Sequence, residues 1–335
     1  MKKLKTNYSR EIKLIKKSIK KLDVDLSGLT VLTEVGSGSY VISPIIPLLA
    51  GAKKVYAWTA DSRYGKAADI IEECLEIAKI LGVENQIEFS PNFKNPEQVK
   101  QADIITNSGF LRPLNEIILK DINPRCVIPL MYEKWELRDS DIDIAYCQQK
   151  NIKVAGTWEN HPSIGVFTGV GHLAIKLCLE AGMEVYQNNI FIWSDDHFGE
   201  ETETAFKKFG ANKVYHSTKK EEFYTVLESL DILYLCDYDE KKSYFSEGGI
   251  FDLKKIKEIN SSLTIVHLYG DVDHELLQKN EIKIYPAKRG HASLMTETLA
   301  YLGPNLIVNL QVAGYKVAQS MYHGKASDLA QPITY

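Results

Sequence analysis

Short apolar runs alternate with segments of helical period along nearly the whole chain. The first clear unit is Val31–Asp61. An apolar run opens at Val31-Leu32, Gly36-Ser37-Gly38 breaks it, Ile45–Leu49 reads as helix, and Val55–Trp58 is a second run. Tyr64–Leu81 sets Ala67, Ile70, Ile71, Cys74, Leu75 and Ala78 at helical spacing, with Gly82 as a C-cap. Gln86–Phe89 reads as strand, Pro96–Gln101 as helix, and Ala102–Thr106 as strand, ending in Asn107-Ser108-Gly109. Leu114–Leu119 is helix, Cys126–Met131 strand, and Asp141–Val154 helix then strand. Ile164–Gly182 is a long apolar helix rich in glycine and alanine. A second alternation starts at Asn189. Strands fall at Ile190–Trp193, Lys213–His216, Ile232–Cys236, Leu263–Leu268 and Ile282–Tyr285, with helices at Glu200–Phe209, Glu221–Leu227 and Asp252–Ile259. Helices at Leu294–Leu302 and Leu306–Met321 close the pattern. Such alternation predicts an α/β fold of two Rossmann-like, doubly wound parallel-sheet lobes with a cleft between them. The lobes are expected at 1–160 and 161–293, with 294–335 as C-terminal helices packing back across the junction.

Composition narrows the class without naming a function. With 335 residues, 44% of them apolar and 25% charged, the chain has the length for two globular domains. A net charge of −4 gives no basis for a nucleic-acid partner. Cys74, Cys126, Cys147, Cys178 and Cys236 are scattered without CxxC or metal spacing, which reads as buried, reduced thiols in a cytoplasmic protein. The N-terminal segment sets Leu4, Ile12, Ile15, Ile19 and Leu22 toward one side and lysines toward the other. It reads as an amphipathic helix packed on the first lobe, in preference to one lying on a membrane. No run reaches the length of a membrane span, and no membrane partner is expected.

The candidate chemistry starts at the first glycine loop. A glycine loop ahead of a helix turns N–H groups toward an anion, so Gly36, Ser37, Gly38 and Asp61 are the candidate cofactor-binding residues. The plainer alternative is a tight turn that organises the lobe. Glu133-Lys134-Trp135-Glu136 and Trp158-Glu159-Asn160-His161 fall at strand ends that face the expected cleft. Asn107, Ser108, Trp135, Trp158, His161 and Tyr269 are the candidate cleft residues, aromatic and polar groups that suit a small-molecule or peptide ligand. Asp195-Asp196-His197 and Glu200-Glu201 offer metal-type donors, but carboxylates at a helix start favour the dipole and cap it. No metal is assigned, and there is no Walker loop, Gly-x-Ser-x-Gly or zinc spacing.

The order of pieces from Ala102 to Thr296 resembles the D-2-hydroxyacid dehydrogenases, the formate and glycerate dehydrogenase-like family. The matching stretches are Ala102-Asp103-Ile104-Ile105, IDIAYCQQKNIKV with the long helix after it, Phe209-Gly210-Ala211-Asn212-Lys213-Val214, Ser229-Leu230-Asp231-Ile232-Leu233, and His291 followed by Thr296. The resemblance implies a dinucleotide on the second lobe, His291 as catalytic acid/base with Arg289 beside it, and a homodimer formed around Ile164–Gly182 with its Gly165, Gly169 and Gly171. The catalytic pieces depart from the pattern. Where the family has G-x-G-x-x-G, this chain has Ser194-Asp195-Asp196-His197-Phe198-Gly199, with only the third glycine kept. Tyr269 stands where the substrate-binding arginine belongs, and Glu275 is at best a nearby substitute for the glutamate that orients the histidine.

A second resemblance covers Val31–Met131. Glu34-Val35-Gly36-Ser37-Gly38-Ser39-Tyr40 is similar to the E-x-G-x-G-x-G motif of class I S-adenosylmethionine methyltransferases, and Leu81–Phe89 to a later turn of theirs. Here Tyr40 replaces the last glycine and Thr59 stands where a ribose-binding acid belongs, with Asp61 two residues late.

Three readings follow. The joint departures suggest a dehydrogenase-like pseudoenzyme that binds a small molecule or peptide between its lobes, as an accessory factor. The alternatives are an NAD(P)-dependent 2-hydroxyacid dehydrogenase-like oxidoreductase using His291 and Arg289, and a methyltransferase using the first glycine loop with S-adenosylmethionine (SAM).

Overall fold

The computed structural model describes residues 8–238, 242–246, 248–287 and 295–333. They form two compact units: one runs to Val166 and resumes at Gly303, the other is Phe167–Leu302. The sequence pattern sets these divisions at 160/161 and 293/294. Residues 161–166 stay with the first unit because His161 meets Asp328 (3.2 Å) and the Ile164 carbonyl accepts from Asn309 (3.1 Å). Met295 to Leu302 stay with the second, where Met295, Leu299, Tyr301 and Leu302 pack on its core and Thr296 N–H bonds Leu268.

In the first unit, β1 (Thr30–Glu34), β2 (Lys54–Thr59), β3 (Ile87–Pro91), β4 (Ile104–Ile105), β5 (Val127–Pro129) and β6 (Lys153–Thr157) lie in the order β3-β2-β1-β4-β5-β6, all parallel. This is the order of a dinucleotide-type Rossmann sheet. One face buries Leu32, Trp58, Ile105, Ile128 and Leu130 among Val99, Leu114, Leu119 and Cys147. Helix Pro304–Tyr322 packs on β5 and β6, burying Val308, Val312 and Tyr315, and helix Ser9–Leu22 lies on it through Ile15, Ser18 and Leu22. The last strand among the described residues, Ala330–Pro332 (β14), pairs antiparallel with β6 at that edge of the sheet.

The second unit holds β7 (Asn189–Trp193), β8 (Lys213–His216), β9 (Ile232–Cys236), β11 (Thr264–Tyr269) and β13 (Lys283–Tyr285), in the parallel order β8-β7-β9-β11-β13. Counted within the unit this is 2-1-3-4-5, the other common doubly wound arrangement. A small parallel pair, β10 (Ser243–Phe245) and β12 (Asp271–Val272), stands beside it. Helix Thr168–Glu180 starts four residues later than the apolar run suggests, because Gly165 takes φ +67° and ends the preceding turn. Gly171 on this helix is buried against helix His197–Lys208, where a Cβ would lie 2.6 Å from both the Glu201 carbonyl oxygen and Ala205 Cβ. That glycine therefore serves packing inside the unit.

All five cysteines are buried and unpaired. Among the described residues no helix is long and apolar enough to cross a membrane.

Candidate functional site

Open α/β sheets bind ligands beyond the carboxyl ends of their strands, at the point where the strand order reverses. In the first unit that point lies between β1 and β4. The Leu32–Ile105 register sets Glu34, at the end of β1, beside Asn107, just past β4. Glu34 is buried, and its Oε2 accepts the Phe110 N–H at 3.1 Å. Burial raises its carboxyl, while the Phe110 and Gly109 N–H groups and Arg112 pull the other way. Asn107 is fully buried. Its Oδ1 accepts the Met131 N–H at 2.9 Å, on the β5 side, and its Nδ2 has no partner among the described residues. Thr106 Oγ1 donates to Thr33 (3.0 Å) and lies 2.9 Å from Ser108 Oγ.

The loops after β4, β5 and β6 add charge. Arg112 pairs with Asp141 at 3.3 Å, Tyr132 donates to the same carboxylate at 2.7 Å, and the guanidinium lies 5.8 Å from the Tyr132 ring centre. Glu133 is buried; it accepts Asn160 N–H (3.2 Å) and Trp135 Nε1–H (2.8 Å). Glu136 accepts Glu133 N–H at 3.1 Å, closing a capping box over the turn Lys134–Glu136. Burial, reinforced by the like charge of Glu133, pushes Glu136 up to about 7 against the pull of the Glu133 N–H, Arg138 and Arg112. Glu159 is also held well above the carboxylate range by burial and by Glu136 and Glu133. Tyr40 is pushed up to about 12 by burial, Glu34 and Glu159. These groups form one electrostatically connected cluster.

A carboxyl raised in the folded state binds its proton more tightly there than in the unfolded chain. Its stabilising contribution is therefore complete below the unfolded value of 4.5 and is lost as pH rises through about 7. Glu136→Gln, which mimics the protonated form, is expected to raise the urea midpoint at pH 8 and to change it little at pH 4. An equal effect at both pH values would contradict the raised carboxyl.

The candidate cofactor residues have internal partners. Gly36 N–H donates to Tyr40 O (3.2 Å) and Tyr40 N–H to Ser37 O (3.3 Å), so the loop closes on itself as a turn over Gly38–Tyr40. A Cβ on Gly36 would stand 2.9 Å from Tyr40 Cβ, and Gly38 takes φ +61°. The helix that follows, Ile45–Leu49, has five residues. Asp61 accepts from Ala67 N–H and Lys66 Nζ, both at 2.9 Å, at the start of helix Ala67–Leu81.

Of the candidate ligand residues, Asn107 and Ser108 lie at the β1/β4 crevice, and Trp135 joins the cluster through Glu133. Trp158 and His161 sit where β6 meets β14, with rings 5.1 Å apart. Tyr269 belongs to the second unit. Arg289 and His291 lie outside the described residues. Sequence reasoning passed over Arg112, Tyr132 and Asp141, and named Glu133, Glu136 and Glu159 only within their strand-end segments. A signal was present, since Glu34 ends one strand of the parallel sheet and Glu133 and Glu159 follow two others within a few residues.

In the second unit the order reverses between β7 and β9. Past β7, Asp196 Oδ1 accepts from Ser194 Oγ (2.6 Å), Phe198 N–H (2.9 Å) and Gly199 N–H (3.3 Å), and its Oδ2 accepts from Tyr238 N–H (3.1 Å). It caps helix His197–Lys208. Gly199 is pressed on the sheet; a Cβ there would meet His216 Nε2 at 2.2 Å and Ser194 Cβ at 2.8 Å. His216 ends β8 and bonds Glu203 at 2.9 Å. Past β9, Asp237 is buried, bonded to Tyr244 (2.6 Å) and Lys242 (3.3 Å), and burial raises its carboxyl. The ring of Tyr238 stacks on Phe198 at 5.9 Å and on Tyr269 at 4.0 Å.

No family model matches the chain, and none of the curated proteins matches it. Solved structures do. A dipicolinate synthase subunit from Bacillus halodurans is 12% identical, with a TM-score of 0.53 over 90% of this chain and 99% of that one. Its counterpart from Bacillus subtilis is 13% identical, with a TM-score of 0.50 over 90% and 97%. A putative D-3-phosphoglycerate dehydrogenase from Ralstonia solanacearum is 10% identical, with a TM-score of 0.50 over 90% and 96%. The fold is D-2-hydroxyacid dehydrogenase-like.

A dehydrogenase-like fold implies a dinucleotide at the β7/β9 crevice, with its pyrophosphate on the helix N-terminus and an acid after the second strand. The residues at that place do not fit one. The Asp196 carboxylate already takes the Phe198 and Gly199 N–H groups, Asp195 and Asp237 add like charge, and His216 stands where the ribose-binding acid belongs.

Proposed function

We propose that this chain is a dehydrogenase-like protein that has given up hydride transfer and binds a small molecule or peptide, acting as an accessory factor. The observation that carries this reading is Asp196. Its carboxylate sits on the helix-start donors that a diphosphate requires, so a bound dinucleotide would have to displace it and face Asp195 and Asp237 as well. The ligand site is the polar crevice past β1 and β4, where Asn107 keeps a buried donor without a partner and Arg112 is half-buried.

Thermal melts with NADH, NADPH and S-adenosylmethionine test the reading. A ligand at a hundred times its dissociation constant adds about 2.7 kcal/mol. No shift is expected with either dinucleotide. None is expected with S-adenosylmethionine, because the Gly36 N–H and Asp61 are already bonded within the chain. A clear shift with NADH or NADPH would overturn the proposal.

A further inference from the structure

We infer that residues 1–7 dock into a groove beside helix Ala67–Leu81, with Leu4 seated among its apolar side chains. The inference is independent of the ligand crevice and of Asp196. The groove has a volume of about 550 Å³ and runs between this helix and the end of β3. Ala68, Ile71, Leu75 and Pro91 give it an apolar lining, and Glu72 and Glu76 give it carboxylates. Ile71 and Leu75 are half-buried, and Ala68 and Pro91 are exposed. β3 is the last strand on its side of the sheet, so no further strand among the described residues covers this flank.

The charges of the groove do not balance. Asp61 also lines it but is paired with Lys66 at 2.9 Å. Glu72 and Glu76 have no ion-pair partner among the described residues, and against them stands one lysine of the lining, Lys79. The groove therefore suits an apolar side chain flanked by cations.

The chain supplies such a segment at the right place. In the first unit, residues 1–7 and 334–335 lie outside the described residues. Thr334 and Tyr335 carry no cation, whereas Lys2, Lys3 and Lys5 surround Leu4. The described chain opens at Tyr8, whose hydroxyl donates to Glu73 of the same helix. Glu73 adjoins Glu72 and lies one turn before Glu76. A helix with its side chains is about 10–12 Å across. Four extended residues cover about 14 Å, so a chain that leaves Tyr8 reaches over the helix and brings Leu4 to the groove. The helical period places Leu4 on one face with Ile12 and Ile15, but the first helix begins only at Ser9, which leaves Leu4 to this second contact.

Limited trypsin digestion of the whole chain tests the inference. Cleavage of the Lys5–Thr6 bond is read by mass spectrometry and divided by the rate for a free peptide of residues 1–10 with the same sequence. When docking and release are fast beside cleavage, this ratio follows the undocked fraction. Burial of one leucine shifts that fraction about tenfold or more. The natural chain is therefore expected to be cut about tenfold more slowly than Leu4→Ser, and than Glu72→Lys combined with Glu76→Lys. Both glutamates are exposed, so the urea midpoint is expected to hold, and Glu72→Gln with Glu76→Gln replaces the lysine pair if it does not. Equal rates in all these chains overturn the inference and leave the groove to an outside partner. Protection that fades on dilution assigns the groove to residues 1–7 of a second copy, and overturns docking within one chain.

Discussion

Replacing Asp196 by alanine is expected to destabilise the second unit by about 3 kcal/mol. An N-cap is worth about 0.5–2 kcal/mol, and a hydrogen bond to a charged acceptor about 1.5–3 kcal/mol net. Asp196 accepts from Ser194, Phe198, Gly199 and Tyr238, so one substitution orphans donors on three segments. Part of the loss is recovered by water at the helix start, which keeps the sum below the total of the separate bonds. Asp196→Asn retains the cap and is expected to recover more than half. Hydrogen exchange at β7 and β9 reads this unit by itself, which matters in a chain of two units. A loss below about 1 kcal/mol would mean that the carboxylate is dispensable there, and would reopen the helix start to an outside anion.

Gly171→Ala is the second large effect, and its sign is informative. Helix propensity alone favours alanine by about 1 kcal/mol. Against this, the new methyl would stand 2.6 Å from the Glu201 carbonyl oxygen and from Ala205 Cβ. One of these is backbone and the other a Cβ, so no rotamer change relieves the contact, and helix Thr168–Glu180 must move away from helix His197–Lys208. Overpacking costs about 1–3 kcal/mol and sometimes more. A net loss of about 2 kcal/mol is expected, read as a lower urea midpoint. A gain in stability would show that the two helices separate freely and that Gly171 has no packing role.

Gly171 also illustrates what the sequence hides. A run of glycines on an apolar helix has the same appearance whether it meets a second copy of the chain or a neighbouring helix in its own unit. Only the three-dimensional distances decide. The alternation of strands and helices was legible because period 2 and period 3.6 are local properties: Lys213–His216 and Ile232–Cys236 are strands with the bounds that the pattern suggests. The small pair β10 and β12 was not legible, since each strand is too short to show a period. Asp196 was readable as a cap, because a helix start prefers a short polar acceptor. The cluster of Glu34, Arg112, Asp141, Glu136 and Glu159 was not. Its members are far apart in the chain, and only the strand order β1-β4-β5-β6 brings their loops together. The first glycine loop was prominent in sequence, and the structure gives its Gly36 a packing reason, the close approach of Tyr40.

The first unit is interrupted, with the second inserted between Val166 and Gly303. During synthesis β1 to β6 emerge before the second unit, yet helix Pro304–Tyr322, which covers β5 and β6, and the edge strand β14 are made after it. The inserted unit is therefore complete while its host still shows an uncovered sheet surface and an open edge beside β6. Such an exposed surface and open edge favour edge-to-edge association in that interval. A chain terminated just before Pro304 would carry a finished second unit tethered to a first unit unable to close.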